Sequence, residues 1–273
     1  MSEQTRDYKD LGRFDKVDAT KEAQMFLSFL DHVEAIADVR ARRQRSIDLI
    51  EPRPGMSIAE IGCGTGTAAR ELAAMLGPQG KVYGFDISEA MIAVASERAR
   101  ELADRTEFRL ADASRLPLAD ASLDAYRAER VYQHLADPLA ALSEALRVLR
   151  PGGKVVLIDQ DWDALLIDSA ELGAYRMIAR AFTDSMVNGT IGRQYARLLR
   201  DAGFSDVSIT TETVTAVDSR DYGLLPGLLA KTARTVGVEE KVVAAWELDQ
   251  NRRIESGRFF MAMTHFIAVG RKK

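Results

Sequence analysis

The sequence predicts an α/β domain built on a doubly wound, mostly parallel sheet. From Ser57 onward, short apolar runs alternate with amphipathic stretches, the pattern of strands alternating with covering helices. The run Ile58-Ala59-Glu60-Ile61 passes into Gly62-Cys63-Gly64-Thr65-Gly66 and then into a helical pattern over 67–76. Four acids, Glu60, Asp86, Asp112 and Asp159, stand at the ends of expected strands. In such a sheet the carboxyl ends of the strands converge where strand order reverses, and ligands bind there.

The first twenty residues are polar, with Tyr8, Leu11, Phe14 and Val17 as apolar anchors, and read as an arm. Two helices are expected between 20 and 50, the first from the stripe Met25, Phe26, Phe29, Leu30 and Val33, the second ending before Pro52 and Pro54. Residues 1–50 are therefore expected as an arm and helices that form a lid, and 51–273 as the main domain. Within it, 81–86 is a strand followed by Ser88 as a helix cap, with Glu89 favourably placed in the first turn. Strands are also expected at 108–112 and 123–128, the latter weakened by its charges. Asp137-Pro138 opens a helix with proline in its first turn, and Leu139, Leu142, Leu146 and Leu149 share one face of it. After Pro151-Gly152-Gly153, the apolar run at 154–159 reads as a buried parallel strand that ends at Asp159. Helical material is expected at 163–203, broken by Asn188-Gly189-Thr190-Ile191-Gly192, then a strand at 207–217. Helices follow at 219–255, broken near Pro226 and Gly237, and an antiparallel last strand at 259–270. The segments at about 163–190 and 219–255 are helical insertions.

Composition narrows the function classes. The chain has 273 residues, 47% hydrophobic and 29% charged, which is ordinary for a globular protein. With 37 basic against 41 acidic side chains there is no basic excess, so no nucleic-acid partner is expected. Arg40, Arg42, Arg43 and Arg45 are the one candidate basic face; helical geometry spreads them around the axis, and a solvated helix is expected. The single cysteine, Cys63, excludes an internal disulfide and fits a reducing cytoplasm. The N-terminus has no apolar signal core and no run approaches membrane-spanning length, so no membrane partner is expected. His32, His134 and His265 have no metal-ligand spacing with one another or with Cys63, and no metal is expected. Self-association is left open.

A glycine turn between a strand and a helix N-terminus is a nucleotide-binding device, because the backbone must turn sharply and approach the ligand closely. A dinucleotide site expects G-x-G-x-x-G/A, whose third small residue would fall at Thr67. Here the third glycine, Gly66, comes one residue early, and Glu60 precedes the first by two. Asp86 lies about twenty residues further on, where a carboxylate can accept both vicinal ribose hydroxyls. A turn cap is the plainer role for Asp86, and simple strand termination for Asp112.

The tight G-x-G-x-G turn with its preceding acid resembles motif I of the class I S-adenosylmethionine (SAM) methyltransferases. Residues from about 40 to 160 are similar to the methyltransferase type 11 group, which includes enzymes of ubiquinone and menaquinone synthesis and natural-product tailoring. The matching stretches are 58–66, 82–91, 110–117, 129–135 and 147–153; the later segments 188–194 and 195–208 also resemble actinobacterial natural-product methyltransferases. The resemblance implies a Rossmann-like sheet, SAM as cofactor, S-adenosylhomocysteine (SAH) as product, and inserted helices as a substrate cover. By position, Gly62, Gly64 and Gly66 would underlie the methionine moiety, Asp86 would bind the ribose, Ile87 would pack on the adenine, and Asp112 would meet its amino group beside Ala113. Glu60, Met91 and Glu129 fall in the same stretches and are carried as cofactor contacts.

Absences narrow the acceptor. Methyltransferases acting on base amino groups resemble one another in an Asn/Asp-Pro-Pro-aromatic turn after the fourth strand, where this chain has Ala128-Glu129-Arg130-Val131-Tyr132. Cytosine C5 methylation needs a thiolate, and the only cysteine lies in the glycine turn. A small-molecule partner remains. His134, after the fourth strand, is the candidate general base because an imidazole titrates near neutrality. Asp161 could orient it, as could Glu129. In related sugar and antibiotic O-methyltransferases a histidine at or next to this position is the proposed base, whereas here Gln133-His134 stands where some relatives carry two histidines. The plainer alternative is a His134 packed against the sheet. Phe14, Gln133 and Trp162 are candidate pocket residues, although aromatics of unknown placement also serve as core.

The expected function is SAM-dependent methylation of a hydroxyl on an aromatic or polycyclic small molecule. Methylation of carbon or nitrogen in an electron-rich ring such as an indole is the runner-up. The alternatives of another class are an NAD-dependent oxidoreductase and a non-catalytic SAM-binding protein.

Overall fold

The computed structural model describes residues 23–102, 105–217 and 221–273. The arm with Tyr8 and Phe14 lies outside the described residues. Helices α1 (Ala23–Ala35) and α2 (Ala37–Ile50) precede an alternating core. That core runs β1 (Ser57–Ile61), α3 (Thr67–Met75), β2 (Lys81–Asp86), α4 (Glu89–Arg98), β3 (Thr106–Leu110), β4 (Leu123–Glu129), α5 (Pro138–Val148) and β5 (Leu149–Ile167). Then come α6 (Leu172–Ser185), α7 (Ile191–Asp201), β6 (Ser205–Ala216), α8 (Leu225–Thr235), α9 (Glu240–Glu255) and β7 (Met261–Arg271). The sheet order is β3-β2-β1-β4-β5-β7-β6. The first five strands are parallel, and β7 is antiparallel to both β5 and β6. Strand order reverses between β1 and β4, which fixes where a ligand cleft opens.

Alternation along each strand sends side chains to two apolar layers. On one face Ile58, Val82, Ala125, Val156 and Ile158 pack on Ile47 and Ile50 of α2 and on Ala69, Leu72 and Ala73 of α3. On the other, Ala59, Phe85, Tyr126, Val155 and Leu157 pack on α5 and α7 through Leu142, Ala145, Tyr195 and Leu199. Burying one such leucine contributes about 1.5–3 kcal/mol. The capping signals act as the sequence indicates: Ser88 accepts from the Met91 N–H at 3.2 Å and Asp137 from the Ala140 N–H at 3.0 Å.

Three expectations are corrected. The fifth strand does not stop at Asp159. It continues to Ile167, pairing with β7 as Gln160↔His265 and, beyond a bulge, Leu165↔Met263 and Ile167↔Met261. Asp159, Asp161 and Trp162 therefore lie within a strand rather than past one, and helix resumes only at Leu172, because β7 pairs with β5 again at Leu165–Ile167 beyond the bulge that holds Asp-Trp-Asp. The arginines of α2 are not a solvated face: Arg40 and Arg45 are exposed, but Arg42 and Arg43 are buried and paired with Glu129 and Glu71. And α2 is a layer of the sheet's own core. The prolonged ends of β5 and β7 carry α6, α8 and α9, whose Ile178, Phe182, Leu229 and Trp246 join Leu165 and Met263 in a third apolar cluster.

Candidate functional site

The glycine turn after β1 holds the left-handed backbone that an L side chain resists: φ is 59° at Gly62, 51° at Gly64 and 79° at Gly66. A Cβ on Gly62 would stand 2.4 Å from Val131 Cγ2, so the turn and the segment after β4 close on each other only through glycine. The Gly64 N–H donates to Asp86 Oδ2 at 2.9 Å, and the Ser88 N–H donates to Asp86 Oδ1 at 3.0 Å. Both oxygens of the carboxylate that ends β2 are thus oriented by backbone, beside the turn. Cys63 is buried within it, and burial pushes its thiol well above the usual range.

A cavity of about 1020 Å³ opens over this reversal point. Gly62, Gly64, Asp86, Ile87, Met91, Asp112 and Ala113 line one part of it, and Glu129, Gln133, His134 and Trp162 another. Asp112 Oδ1 accepts from the Ser114 N–H at 2.7 Å and from its hydroxyl at 2.6 Å, while Ile87 is 54% exposed, an apolar side chain presented rather than packed. His134 sits in a short turn, Tyr132–His134, directly after β4. Gln133 Oε1 accepts from the Trp162 indole N–H at 2.9 Å, and the Trp162 ring meets Phe182 edge-on at 4.7 Å. Phe29, Leu30 and Val33 of α1 close the cavity from outside.

Beneath the wall lies a buried ion network. Arg127, fully buried, donates to Glu60, to Glu129 at 2.6 Å and to the Ser46 hydroxyl at 2.9 Å. Arg42 reaches Glu129 at 3.4 Å. Burial opposes the charge on Glu129, but Arg127 and Arg42 outweigh it and hold the carboxyl at about 2. Glu60 has Arg127 alone and leaves one oxygen unpaired, so burial prevails and pushes it up to about 7.

Four sequence-derived roles change. Glu60 is not on the wall: its side chain turns inward to Arg127. Gly66 is a packing glycine, since a Cβ there would press on Ala95 at 3.0 Å and Phe108 at 3.1 Å. Asp161 does not orient His134, because Arg193 takes both of its oxygens, one at 2.6 Å. Asp159 is fully buried, accepting from the Tyr195 hydroxyl and the Tyr132 N–H; burial pushes it up to about 7 against those bonds. Phe14 lies outside the described residues. The sequence reading missed Arg42, Arg130, Gln160, Tyr222 and His265 on the wall. The signal available for Arg130 was its place in the matching stretch after β4; the others are far apart in sequence.

The model of the methyltransferase domain family, type 11, matches residues 59–157. An uncharacterized 37.1 kDa protein in transposon Tn4556 of Streptomyces fradiae is 39% identical over 246 residues, which are 89% of this chain and 70% of that protein. The O-methyltransferase cnsE of Penicillium expansum is 35% identical over 179 residues, 65% of this chain and 61% of the relative. The ubiquinone/menaquinone biosynthesis C-methyltransferase UbiE of Burkholderia cenocepacia (strain HI2424) is 30% identical over 155 residues, 54% of this chain and 64% of the relative. The chain thus spans roughly two thirds of the length of each of these proteins.

Proposed function

This chain belongs to the class I SAM-dependent methyltransferases of the type 11 group, and on that premise we propose that its acceptor is a hydroxyl on an aromatic or polycyclic small molecule. The observation that carries the proposal is the single continuous cavity, which joins the glycine turn and Asp86 to His134, Gln133 and Trp162. At about 1020 Å³ it lies at the upper end of the range for ligand pockets, about 300 to 1,000 Å³. Its further walls include Val39, Phe182, Ile254, Met261 and Met263, which favour an apolar body over a sugar or a free amino acid.

Bound SAM supplies a methyl group already activated on a sulfonium. The protein's part is to hold the acceptor in line and to remove a proton. In this reading Gly62, Gly64 and Asp86 would hold the methionine and ribose ends of SAM, and Ile87, Met91, Asp112 and Ala113 the adenine. His134 would accept the proton of the acceptor hydroxyl. The O-methyltransferase of Penicillium among the relatives supports an oxygen acceptor. A second reading, transfer to an electron-rich ring carbon, is favoured by the name of the Burkholderia relative. There positioning would suffice, and His134 would matter little.

The test is a mass-spectrometric screen for methyl transfer from SAM to hydroxylated aromatics and to matched ring systems lacking the hydroxyl. Methylation confined to hydroxyl-bearing compounds supports oxygen transfer. Products methylated at carbon would replace it with the second reading.

A further inference from the structure

Part of the cavity wall carries polar atoms without a protein partner. Arg42 Nη1, Arg130 Nε, Gln160 Oε1, the Tyr222 hydroxyl and His265 Nδ1 are buried and unpaired among the described residues, and all five side chains line the cavity. Arg42 is 2% exposed, and Gln160 and His265 are 7% exposed each. They converge from α2, the end of β4, β5, the approach to α8, and β7, with Gln160 and His265 opposite each other in the β5–β7 ladder. An unmade bond at a buried donor or acceptor is costly, and these five stand on one cavity wall where a ligand could make them.

The ion pairs there leave one guanidinium over. Three guanidinium groups, Arg42, Arg127 and Arg130, face two carboxylates, Glu60 and Glu129. Arg127 and Arg42 take those carboxylates, and Arg130 has no ion pair among the described residues. Glu34 and Asp159 also act on Arg130 through space, but neither pairs with it, and they accept from the Thr67 and Tyr195 hydroxyls. Burial, with Arg42 adding to it and Glu129 opposing, pulls the Arg130 guanidinium below its usual range. Its backbone is also held at φ 58°, a conformation that a residue with a side chain adopts under strain and that aims it into the cavity.

We propose that the acceptor carries a carboxylate, seated on Arg130 and Arg42 with the Tyr222 hydroxyl beside them, so that the substrate is an aromatic acid. The proposal rests on reading this cavity as the shared site of cofactor and acceptor. A single guanidinium without an ion-pair partner among the described residues matches a carboxylate better than a doubly charged phosphate monoester. A planar guanidinium also meets a carboxylate edge-on with two donors. Gln160 Oε1 is an acceptor and would repel the crowded oxygens of a phosphate, but suits a hydroxyl hydrogen beside the acid. Gln160 and His265 sit on β5 and β7, two and three strands from the glycine turn after β1, whereas Arg130 follows β4, one strand away, so the effect of its substitution on SAH affinity is what tells this anion from the cofactor's own carboxylate.

The test titrates the SAH-loaded full-length protein with 2-naphthoate and with neutral 2-naphthamide, by calorimetry. The wild type is expected to bind the acid at least about tenfold more tightly than the amide, the effect of a charge-assisted hydrogen bond. Arg130→Gln should erase that preference, and Arg130→Lys, which keeps the charge but not the fork, should retain part of it, with SAH affinity unchanged within about threefold and melting temperature as the control for folding. Equal binding of the two probes, or binding of neither, overturns the proposal. So does an Arg130→Gln variant that loses SAH affinity and keeps the preference, which would give Arg130 to the cofactor's carboxylate. A wild type that fails to bind SAH in the first titration takes down the cofactor reading itself, and the acceptor proposal with it.

Discussion

Gly64 donates its backbone N–H to Asp86 Oδ2 at 2.9 Å, so the glycine turn after one strand and the acid ending the next are a single unit. The bond leaves the carboxylate fixed at the cavity wall, a rigid acceptor for vicinal hydroxyls. Asp86→Ala should weaken SAM binding by one or two charge-assisted hydrogen bonds, about 1.5–3 kcal/mol each. Asp86→Asn, which keeps an oxygen for Gly64, separates direct contact from support of the turn. Calorimetric affinities unchanged in both variants would remove Asp86 from the cofactor site.

Arg127 is the hub beneath the wall, fully buried between Glu60 and Glu129. Arg127→Met should cost about 3–5 kcal/mol of stability, because it strands the buried Glu60 and leaves Glu129 with Arg42 alone rather than because the pairs themselves are strong. Urea unfolding measures this. A loss below about 1 kcal/mol would mean that Glu60 and Glu129 find partners elsewhere.

His265 gives stability a pH dependence of known sign. Burial first, then Arg42 and Arg130, pull its imidazole down to about 3 against opposition from Glu129. With the folded value depressed below the unfolded one, the unfolded chain binds the extra proton between the two. Stability is therefore intact above the unfolded value near 6.5 and lost as pH falls toward 3. Between pH 7 and pH 5 the loss from this group is about 2 kcal/mol. Glu60 and Asp159, raised to about 7, act in the opposite direction, losing their contribution as pH rises through 7. The comparison of wild type with His265→Gln isolates the histidine: their difference in unfolding free energy should change by about 2 kcal/mol over that range. A constant difference would show that His265 is charged or solvated in the folded state.

His134 decides between oxygen and carbon chemistry. A phenolic hydroxyl is a poor nucleophile until its proton leaves, so His134→Ala should lower kcat about 10²–10⁴-fold while sparing SAM affinity. The wild-type rate should rise with pH through the range where an imidazole titrates. A loss in kcat smaller than about threefold, with the fold verified, falls outside general-base catalysis and leaves transfer driven by proximity.

What the sequence determined by itself is local. The apolar runs at 58–61, 81–86 and 154–159 are strands because their β-branched and apolar residues repeat at a strand's scale. The glycine turn, the Ser88 and Asp137 caps and the placement of Asp86 at a strand end follow from backbone requirements that only certain residues meet. Tertiary structure decided everything that depends on what lies across the sheet. Asp-Trp-Asp at 161–163 reads as the end of a strand, yet it is only a bulge, because β7, a hundred residues later, pairs with β5 again at Leu165–Ile167. Glu60 reads as a ligand contact and Asp161 as a partner of His134, but Arg127 and Arg193 claim them. Arg42, Gln160, Tyr222 and His265 form one wall despite having no sequence spacing in common. The physical reason is range. Propensity, capping and glycine geometry act within a few residues, whereas burial and ion pairing act through space, and the partner of a charge is chosen by the fold.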